Sequence, residues 1–417
     1  MTTGAQQNSN RGLYTVGVTG TNGKTSTTRW TAACLARLAR PVVQTTTLGS
    51  FLDDEPFPAS RDFSGFLSAM RAGARAGGRF ACVEMTSHAL ARGFARAWPC
   101  RIGIFTNLTR DHLDQHGSAE HYLASKAQLF TALPPGGFAV LNGSDPASEL
   151  LAEAVPQGVR TVHFGSLSRG IPVKELDLFA AEVLPSWEGT TVVLAQTSRL
   201  VEVPCTFRIQ AIGEVYAENA LAALLAAICA GVPARSAVDA LSRAPVPRGR
   251  FEVITPHRFS AAHLRAGPRV VVDYAHNPDA LARTLGCARR LCKGSLVLVF
   301  GAGGDRDHGK RPQMGVVASL ADRVVLTSDN PRSEEPAGIA SQIREGICQK
   351  VEVAVRLDRS VAIRSAVFEA NNDDVVLITG KGHECHQSIR GQTVPFDDGA
   401  EARSALTVRW ECGPATE

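Results

Sequence analysis

The sequence predicts two consecutive α/β domains, each built on a mainly parallel sheet. From residue 14 to about residue 244, short apolar runs alternate with Ala-rich segments of helical periodicity. A stretch punctuated by Pro and Gly follows at 246–252, and a second alternating series begins near residue 270. Alternation of this kind is typical of βαβ units. We therefore expect one domain over 13–246 and a second over 247–410, with a disordered tail at 1–12 and a further tail at 411–417.

The elements of both domains follow from local pattern. In the first domain, apolar β-prone runs predict strands at 42–46 and 81–84, and Ala-rich runs predict helices at 29–38 and 218–229. Residues 185–210 alternate apolar and polar side chains, which favours a small antiparallel excursion. In the second domain the strand-like runs are 270–274, 296–301, 323–328 and 375–380. Each ends in a polar or Gly-rich loop, and ligands of open α/β sheets bind at such carboxyl ends.

Composition indicates an ordinary globular protein. The 417 residues are 44% apolar and 20% charged, and the formal net charge is only +4, so charge predicts neither a nucleic-acid partner nor a membrane surface. The polar N-terminus has no apolar core of a secretory signal, and the longest apolar run, 220–232, predicts a buried helix too short to cross a bilayer. Ten scattered cysteines without a C-x-x-C pair favour reduced thiols and a cytoplasmic location.

Residues 15–28 predict a loop that binds nucleotide phosphates. A β-prone run leads into a Gly-rich turn, then Lys24 and Thr25, and then a helix-compatible segment. In such a loop the backbone N–H groups hold phosphates, the lysine reaches the outer phosphates and the hydroxyl holds Mg²⁺. The spacing departs from the strict consensus because Val18 stands at the position of the first glycine. The preceding strand favours ATP binding over a chance turn.

Two further segments of the first domain carry candidate metal ligands. Glu84 ends an apolar strand, and a carboxylate at a strand end beside a phosphate loop is a natural Mg²⁺ ligand. An exposed glutamate in a turn is the competing interpretation. The loop after residue 105 concentrates polar side chains that suit a second metal site better than a solvated surface: Asn107, Asp111, His112, Asp114 and His116.

The loops of the second domain offer both cations and an anion at one sheet edge. Asn277-Pro is a helix-start signal, and His276 lies just beyond a strand end. Arg306 stands in a Gly-rich loop, where a guanidinium suits a carboxylate. Arg332 and Glu384 follow the next two strands. An arginine for the carboxylate and a glutamate for the ammonium is the combination that an amino-acid ligand requires.

With these segments lined up, the chain resembles the Mur ligase family of ATP-dependent amino-acid ligases from about residue 14 to residue 406. Several independent blocks stand in family order, namely Thr19-Gly-Thr-Asn-Gly-Lys-Thr25, Phe105-Thr-Asn-Leu, Asp111-His-Leu-Asp-Gln-His-Gly117, Tyr122-x-x-x-Lys126, Tyr274-Ala-His-Asn-Pro-Asp279, Gly303-Gly-Asp-Arg-Asp307, Asp329-Asn-Pro-Arg332 and Gly380-Lys-Gly-His-Glu384. The resemblance implies a central P-loop ATPase domain with a parallel sheet, followed by a Rossmann-like α/β C-terminal domain.

The resemblance also implies roles for individual residues. Lys24, Lys126, His112 and Glu84 are the expected catalytic residues, with two Mg²⁺ sites formed by Thr25, Glu84, His112 and Lys126 and with Lys126 carbamylated. The expected nucleotide contacts are Thr19, Gly20, Thr21, Asn22, Gly23, Lys24, Thr25, Ser26, Asn107, Asn219, Arg250, His276 and Asn277. The expected substrate contacts are Arg306, Asp329, Asn330, Arg332, Gly380 and Glu384 for the amino acid, and Ser87 and His88 for the acceptor. The Asp-Asn-Pro-Arg block resembles the version that selects meso-diaminopimelate.

Two departures from the family pattern concern the acceptor. The phosphate loop begins about twenty residues from the first residue of the sequence, so we expect the chain to lack the family's N-terminal domain that grips UDP. The family's Thr-Thr segment is replaced by Pro-Ala-Ser-Arg-Asp at 58–62. We therefore expect a ligase that activates an acceptor carboxylate as an acyl phosphate and couples it to an amino acid, on a non-standard acceptor such as one without UDP.

Alternatives remain open at this point. One is ordinary tripeptide synthesis on the UDP-linked cell-wall precursor. Others are a non-catalytic nucleotide-binding partner subunit and a ligase of the folylpolyglutamate type. The presence of Lys24, Thr25, Glu84, His112 and Lys126 argues against a decayed enzyme. A partner protein that supplies acceptor recognition is a further expectation.

Overall fold

The computed structural model describes residues 12–109, 118–167, 176–195, 203–256 and 267–411. These residues form two compact units, one ending at Pro245 and the other beginning at Val246. Each unit is an α/β structure around its own sheet, so the predicted fold class is confirmed. Strands and helices of the described residues are numbered here in chain order.

The first unit carries eleven strands in its described part. They are β1 (Tyr14–Thr19), β2 (Val42–Thr46), β3 (Gly49–Leu52), β4 (Glu55–Phe57), β5 (Phe80–Glu84), β6 (Ile102–Phe105), β7 (Phe138–Asn142), β8 (Arg160–Ser166), β9 (Leu178–Ser186), β10 (Gly189–Leu194) and β11 (Thr206–Ile209). Their order in the sheet is β11-β10-β9-β8-β7-β6-β1-β5-β2-β3-β4. Strands β2, β5, β1, β6, β7, β8 and β9 run parallel to their neighbours in this series. The phosphate-loop strand β1 is therefore central, between β5 and β6.

Helices cover the faces of this sheet. They are α1 (Lys24–Leu35), α2 (Phe63–Arg75), α3 (Ser87–Ala91), α4 (Phe94–Ala97), α5 (Ala119–Thr131), α6 (Ala147–Glu153), α7 (Glu214–Cys229) and α8 (Ala234–Arg243). A buried aromatic and aliphatic cluster fills one face, with Phe66, Trp98 and Phe130 among its largest side chains. Helix α7 is buried over most of its length because its sequence is Ala- and Leu-rich all round. The apolar run at 220–232 is thus a core helix up to Cys229, and its last three residues lie beyond the helix end.

Strands β9, β10 and β11 pair antiparallel, as the alternation at 185–210 predicts. The first helix begins at Lys24, five residues before the predicted start at 29. The early turn is rich in threonine and serine, which have modest helix propensity, so periodicity alone placed the start too late. Gly23, with φ of 85°, allows the loop to pass directly into the helix.

The second unit is a smaller α/β structure. Its strands are β12 (Glu252–Ile254), β13 (Arg269–Asp273), β14 (Leu296–Phe300), β15 (Arg323–Leu326), β16 (Glu352–Val355), β17 (Val375–Thr379), β18 (His386–Ile389) and β19 (Gln392–Pro395). The first six form one sheet in the order β12-β13-β17-β14-β15-β16, parallel except for β12. The last two form an antiparallel hairpin. Its helices are α9 (Pro278–Leu291), α10 (Lys310–Ala318), α11 (Pro336–Arg344), α12 (Arg359–Glu369) and α13 (Asp398–Glu411).

The core strands of the second unit, β13, β17 and β14, are runs of Val, Leu and Ile that are almost completely buried. Continuous apolar runs are expected where a parallel strand is covered on both faces. The loops that leave β13, β14, β15 and β17 therefore emerge at one edge of the sheet. No helix in the described part of the chain is both long and apolar enough to cross a bilayer.

Candidate active site

The phosphate loop joins β1 to α1 in a conformation that requires glycine. Gly20 and Gly23 have φ values of 148° and 85°, which residues with a side chain rarely adopt. A Cβ on Gly20 would lie 1.9 Å from Thr106 Oγ1, and one on Gly23 would lie 2.2 Å from Asn219 Oδ1. Thr106 and Asn219 therefore leave no space for a side chain at either position. The loop exposes backbone N–H groups instead, as phosphate binding requires.

The loop is held in place by the end of the neighbouring strand β6. Thr21 N donates to Asn107 O at 2.8 Å, and Asn22 N donates to Asn107 Oδ1 at 2.9 Å. Asn107 Nδ2 and Thr106 Oγ1 both donate to Asn22 O, at 3.1 and 2.7 Å. Asn107 is almost fully buried, so these bonds are shielded from water. The predicted nucleotide residue Asn107 thus shapes the loop from the adjacent strand.

Lys24 opens helix α1 and folds back over the loop. Its Nζ donates to Thr21 O at 2.8 Å and to Gly20 O at 3.2 Å. The N-terminus of α1 also presents backbone N–H groups without partners inside the helix. Together the ammonium and the helix end give this corner of the sheet a positive potential that favours a phosphate.

Thr25 and Glu84 meet at the carboxyl ends of β1 and β5. Thr25 Oγ1 donates to Glu84 Oε2 at 2.9 Å, because the parallel register of the two strands sets Val18 opposite Glu84. Thr47, which stands in none of the sequence motifs, donates to the same carboxylate oxygen through its N at 3.1 Å and its Oγ1 at 3.3 Å. A hydroxyl beside a carboxylate is a hard-oxygen donor set that fits Mg²⁺. In the sequence, only the position of Thr47 directly after the predicted strand β2 could have indicated that it belongs to this site.

Lys126 lies on α5 with its amine directed at the phosphate loop. Its Nζ donates to Gly20 O at 2.7 Å and lies 4.1 Å from the centre of the Tyr122 ring. The side chain is 1% exposed. Lys24 and Lys126 therefore both donate to the Gly20 carbonyl.

Part of the predicted metal set is not described. His112, with Asp111, Asp114 and His116, lies outside the described residues. Within the described ranges, no group of three or more His, Cys, Asp or Glu side chains is arranged to hold a metal ion. The second Mg²⁺ site therefore stays a prediction.

Three other predicted nucleotide residues of this unit line the same corner. Asn219 on α7 packs against Gly23, and its buried Nδ2 has no hydrogen-bond partner among the described residues. Thr19 Oγ1 is also buried without such a partner, and Ser26 is buried on the first turn of α1. An unpaired amide donor beside the loop suits an acceptor atom of a bound nucleotide.

The predicted acceptor residues follow β5 directly. Thr86 caps helix α3 by accepting a hydrogen bond from Ala89 N at 3.2 Å. Ser87 is buried on the first turn of this helix, whereas His88 is exposed. Both therefore lie just beyond the strand end that carries Glu84.

In the second unit an aromatic group surrounds the end of β13. The Arg250 guanidinium lies 4.4 Å from the centre of the Tyr274 ring, and the rings of His276 and His383 lie 4.6 and 4.8 Å from it. His276 Nδ1 is 2.9 Å from Tyr274 O. Asn277 is fully buried, and its Oδ1 accepts a hydrogen bond from Ala280 N as the N-cap of α9. The Asn277 side chain thus has a structural role whatever else it contacts.

The loops after β15 and β17 bring the predicted amino-acid residues together. Asn330 Nδ2 donates to Glu384 Oε2 at 2.9 Å. Gly380 has φ of 111°, and a Cβ there would lie 2.3 Å from Asp329 Oδ2. Asp329 and Asn330 are each 7% exposed. Only a glycine at 380 lets the two loops approach this closely.

Arg332 and Arg306 flank the Gly-rich loop after β14. Arg332 has φ of 52°, and its guanidinium donates to Gly304 O. A Cβ on Gly303 would lie 3.1 Å from Arg332 Nη1 and 3.7 Å from Arg306 Cγ. Arg306 is exposed. The cations and the Glu384 carboxylate thus belong to adjacent loops of one sheet edge.

Two buried cations of this unit, Lys381 and Arg359, escaped the sequence interpretation. Lys381 is fully buried, and its Nζ donates to Asn330 Oδ1 at 3.0 Å and to Glu384 Oε2 at 3.3 Å. Arg359 is 2% exposed and forms a two-bond ion pair with Asp398. For Lys381 a signal existed, since it stands inside a motif singled out for its neighbours. Arg359 stands in a helix with no motif around it.

Arg311, which follows the Gly-rich loop after β14, is also fully buried. Its two terminal nitrogens donate to the two Glu334 oxygens at 2.7 and 2.8 Å, and it also donates to Gly303 O at 3.1 Å. The Arg311 guanidinium lowers the pKa of Glu334 to about 2, outweighing partial burial. Arg311 thereby ties the Gly-rich loop to the segment that follows Arg332.

Comparison with known proteins places both units in one family. The model of the Mur ligase middle domain matches residues 18–227, and that of the Mur ligase glutamate ligase domain matches residues 249–382. A relative from Thermosynechococcus vestitus, UDP-N-acetylmuramoyl-L-alanyl-D-glutamate–2,6-diaminopimelate ligase, is 41% identical over 95% of this chain and 77% of its own length. The enzyme of the same name from Ralstonia nicotianae is 38% identical over 95% of this chain and 76% of its own length.

Solved structures agree with these sequence matches. A structure of UDP-N-acetylmuramoyl-L-alanyl-D-glutamate–2,6-diaminopimelate ligase is 33% identical, with a TM-score of 0.64 over 96% of this chain and 79% of that one. Folylpolyglutamate synthase of Mycobacterium tuberculosis, complexed with ADP and AMPPCP, has a TM-score of 0.70 over 97% of this chain and 92% of that one. At 19% identity, the second likeness shows the fold alone.

Proposed function

Because the chain belongs to the Mur ligase family, we propose that it joins meso-diaminopimelate through an amide bond to the carboxylate of an acceptor. Members of this family are ATP-dependent, ADP-forming ligases that use Mg²⁺ and act on small molecules, and this chain is one of them. The proposal adds the identities of the amino acid and the acceptor. It also adds the roles of individual residues.

The observation that carries the choice of amino acid is the cluster at the edge of the second sheet. Asn330 and Glu384 are hydrogen-bonded, and Arg332 follows Asn330 in the same loop, with its guanidinium against Gly303 and Gly304 of the adjacent loop. The guanidinium would hold a carboxylate, and the Glu384 carboxylate would hold an ammonium. meso-Diaminopimelate carries both groups at the end distant from the reacting amine. The names of the relatives at 36–41% identity support the same amino acid.

At the phosphate loop, the residues of this chain would position the reaction of ATP with the acceptor. The acceptor carboxylate attacks the γ-phosphorus, ADP leaves, and an acyl phosphate forms. The incoming amine then attacks the acyl carbon, inorganic phosphate leaves, and the amide loses a proton. Lys24 would stabilise charge on the transferring group, while Thr25 and Glu84 would hold Mg²⁺, which neutralises phosphate charge when bound.

Carbamylation of Lys126 is a further part of the proposal. Lys24 and Lys126 both donate to Gly20 O, so two ammonium groups converge on one carbonyl in a buried place. Conversion of one amine to a carbamate replaces that repulsion by attraction and supplies an oxygen ligand for a second Mg²⁺. We propose Lys126 for this role because Lys24 must stay cationic to contact phosphate.

Two acceptors compete. The names of the relatives favour UDP-N-acetylmuramoyl-L-alanyl-D-glutamate. An acceptor without UDP is favoured by the altered segment at 58–62. There Ser60 Oγ donates to Asp62 Oδ1 at 2.6 Å, and that oxygen accepts from Gly65 N at 2.8 Å as the N-cap of α2. The Asp62 oxygen is thus engaged within the protein.

The decisive experiment measures ADP release by the purified full chain with meso-diaminopimelate and Mg²⁺. One arm receives UDP-N-acetylmuramoyl-L-alanyl-D-glutamate, and the other receives L-alanyl-D-glutamate-containing acceptor without the nucleotide. L-Lysine and L-glutamate replace meso-diaminopimelate in parallel arms, and product mass identifies the amide. We expect product only in an arm with meso-diaminopimelate.

The outcomes separate the candidates. Product from the UDP-linked acceptor alone assigns the chain to tripeptide synthesis, and product from the other acceptor establishes a changed acceptor site. Product with glutamate instead of meso-diaminopimelate would overturn the amino-acid assignment. If neither acceptor reacts while ATP binds, we expect a partner protein to supply acceptor recognition, and its addition to restore turnover.

We also propose a cytoplasmic location. All nine cysteines of the described residues are free thiols, which suits a reducing compartment where ATP is available. Cell fractionation with antibody detection tests this. Recovery of the protein in a membrane or extracellular fraction would contradict it.

A further inference from the structure

Lys381 is the most deeply buried charged group of the amino-acid site, and the proposed substrate contacts do not use it. Its side chain is 0% exposed and lies between two glycines with positive φ, Gly380 at 111° and Gly382 at 53°. A buried ammonium is costly unless it is paired and hydrogen-bonded. The Lys381 ammonium therefore needs hydrogen-bond acceptors and a negative charge close by.

The partners of Lys381 are two residues proposed to contact the substrate. Its Nζ donates to Asn330 Oδ1 at 3.0 Å and to Glu384 Oε2 at 3.3 Å. Asn330 closes the triangle by donating from Nδ2 to the same Glu384 oxygen at 2.9 Å, and its Oδ1 also accepts from Ser388 N at 3.0 Å. Lys381 thereby links the loop after β15 to the loop after β17.

This triangle uses one oxygen of Glu384 and leaves the other. Both side-chain bonds to Glu384 end on Oε2. Because a carboxylate has two acceptor oxygens, Oε1 is the one available to an ammonium group of a ligand. The Glu384 side chain is 25% exposed, so it reaches the surface of the site while the Lys381 amine does not.

We propose that Lys381 is a positioning and specificity-determining residue for the amino-acid substrate. It fixes Glu384 and Asn330, and its charge compensates the Glu384 carboxylate. Because Lys381 neutralises Glu384, the Arg332 guanidinium can bind the distal carboxylate of the substrate. The inference rests on the proposed function and adds the reason why an amine with a carboxylate is preferred to an amine alone.

The test compares substrates that differ only in that carboxylate. meso-Diaminopimelate and L-lysine share the distal amine, and only the first carries a carboxylate beside it. In K381M the site gains one uncompensated negative charge, which repels the carboxylate and still attracts the amine. We expect the ratio of kcat/KM for meso-diaminopimelate to kcat/KM for L-lysine to fall at least about tenfold. Two negative charges a few ångströms apart in a partly buried site repel each other by at least the free energy that corresponds to this factor. The KM for ATP stays unchanged.

Two matched variants separate charge from structure. K381Q keeps a donor for Asn330 and removes the charge, so it should shift the substrate ratio as K381M does while losing less thermal stability. K293M removes an exposed lysine of the same unit and should change neither quantity. A purely structural role would lower stability in K381M with an unchanged substrate ratio, and that result would overturn the proposal.

Failure of the proposed function is distinguishable from failure of this inference. If the wild-type chain does not use meso-diaminopimelate, the assignment of the amino acid is wrong. If the wild type uses it and K381M or K381Q shows the wild-type ratio of meso-diaminopimelate to L-lysine, only the role of Lys381 is wrong.

Discussion

Replacement of Arg359 by methionine should destabilise the second unit strongly and weaken amino-acid binding. The guanidinium is buried and makes four hydrogen bonds. Nε and Nη2 donate to the two Asp398 oxygens at 2.7 and 2.8 Å, Nη2 donates to Thr379 O at 2.9 Å, and Nη1 donates to Ser328 O at 3.3 Å. Thr379 and Ser328 end the segments that lead into the substrate loops. Arg359 therefore fixes the backbone at the start of the loops after β15 and β17.

The magnitude follows from what R359M leaves behind. Asp398 is 0% exposed, so its carboxylate would remain buried without a counter-charge. Burial by itself would lower the pKa of Arg359, yet the neighbouring Asp398 raises it above its ordinary value, so the guanidinium stays charged. Removal of one partner from such a buried pair costs about 3–5 kcal/mol of unfolding free energy. For a unit of this size, the Tm should fall by roughly 6–20 °C.

A matched control lies on the same helix. Arg364 pairs with Glu401 at 3.2 Å, but its side chain is 56% exposed. R364A should cost no more than about 1 kcal/mol, because exposed ion pairs contribute little. Urea denaturation followed by circular dichroism measures both variants, and the KM for the amino acid measures the loops. We expect R359M to raise that KM and to leave the KM for ATP unchanged.

The double variant R359M/D398N completes a mutant cycle. Loss of the second charge removes the uncompensated carboxylate, so the double variant should be less destabilised than the sum of the single variants. An R359M cost as small as that of R364A would refute the reasoning. So would strict additivity in the cycle, because it would mean that the two charges do not interact.

Three further predictions concern single residues. K126A should abolish turnover while ADP still binds, and short carboxylic acids should restore part of the rate; an undiminished K126A would exclude the carbamate. G380A should lose amino-acid affinity, measured by calorimetry, because its Cβ would lie 2.3 Å from Asp329 Oδ2 at a φ of 111°; wild-type affinity would contradict the close loop contact. The Glu334 pKa is about 2, below its ordinary 4.5, so its stabilisation is present above pH 4.5 and is lost as pH falls towards 2. The Tm difference between wild type and E334Q should therefore shrink from pH 7 to pH 3, and a constant difference would rule out this linkage.

Local pattern determined the phosphate-loop corner. A β-prone run, a Gly-rich turn and a lysine followed by threonine specify strand, loop and helix within a few residues, and each step depends on neighbours in sequence. Parallel strands also end at one edge, so sequence alone assigns Glu84 and Asn107 to the same corner. Asn330 and Glu384 could be assigned to one sheet edge for the same reason. The predicted start of the first helix was wrong because its opening turn lacks an apolar period.

Packing between separate elements brings the distant side chains to those corners. Asn219 packs on Gly23, Lys381 is buried against Glu384, and Arg359 is paired with Asp398. Two of these pairs join residues that are far apart in sequence, so no periodicity or motif indicates them. Only Lys381 and Glu384 stand close together in sequence. Burial and pairing of a charge depend on how separate elements pack, since the low dielectric that makes a charge costly exists only once the core has formed. Local sequence thus specifies which chemical groups stand at each strand end, and packing specifies which of those groups are fixed in place.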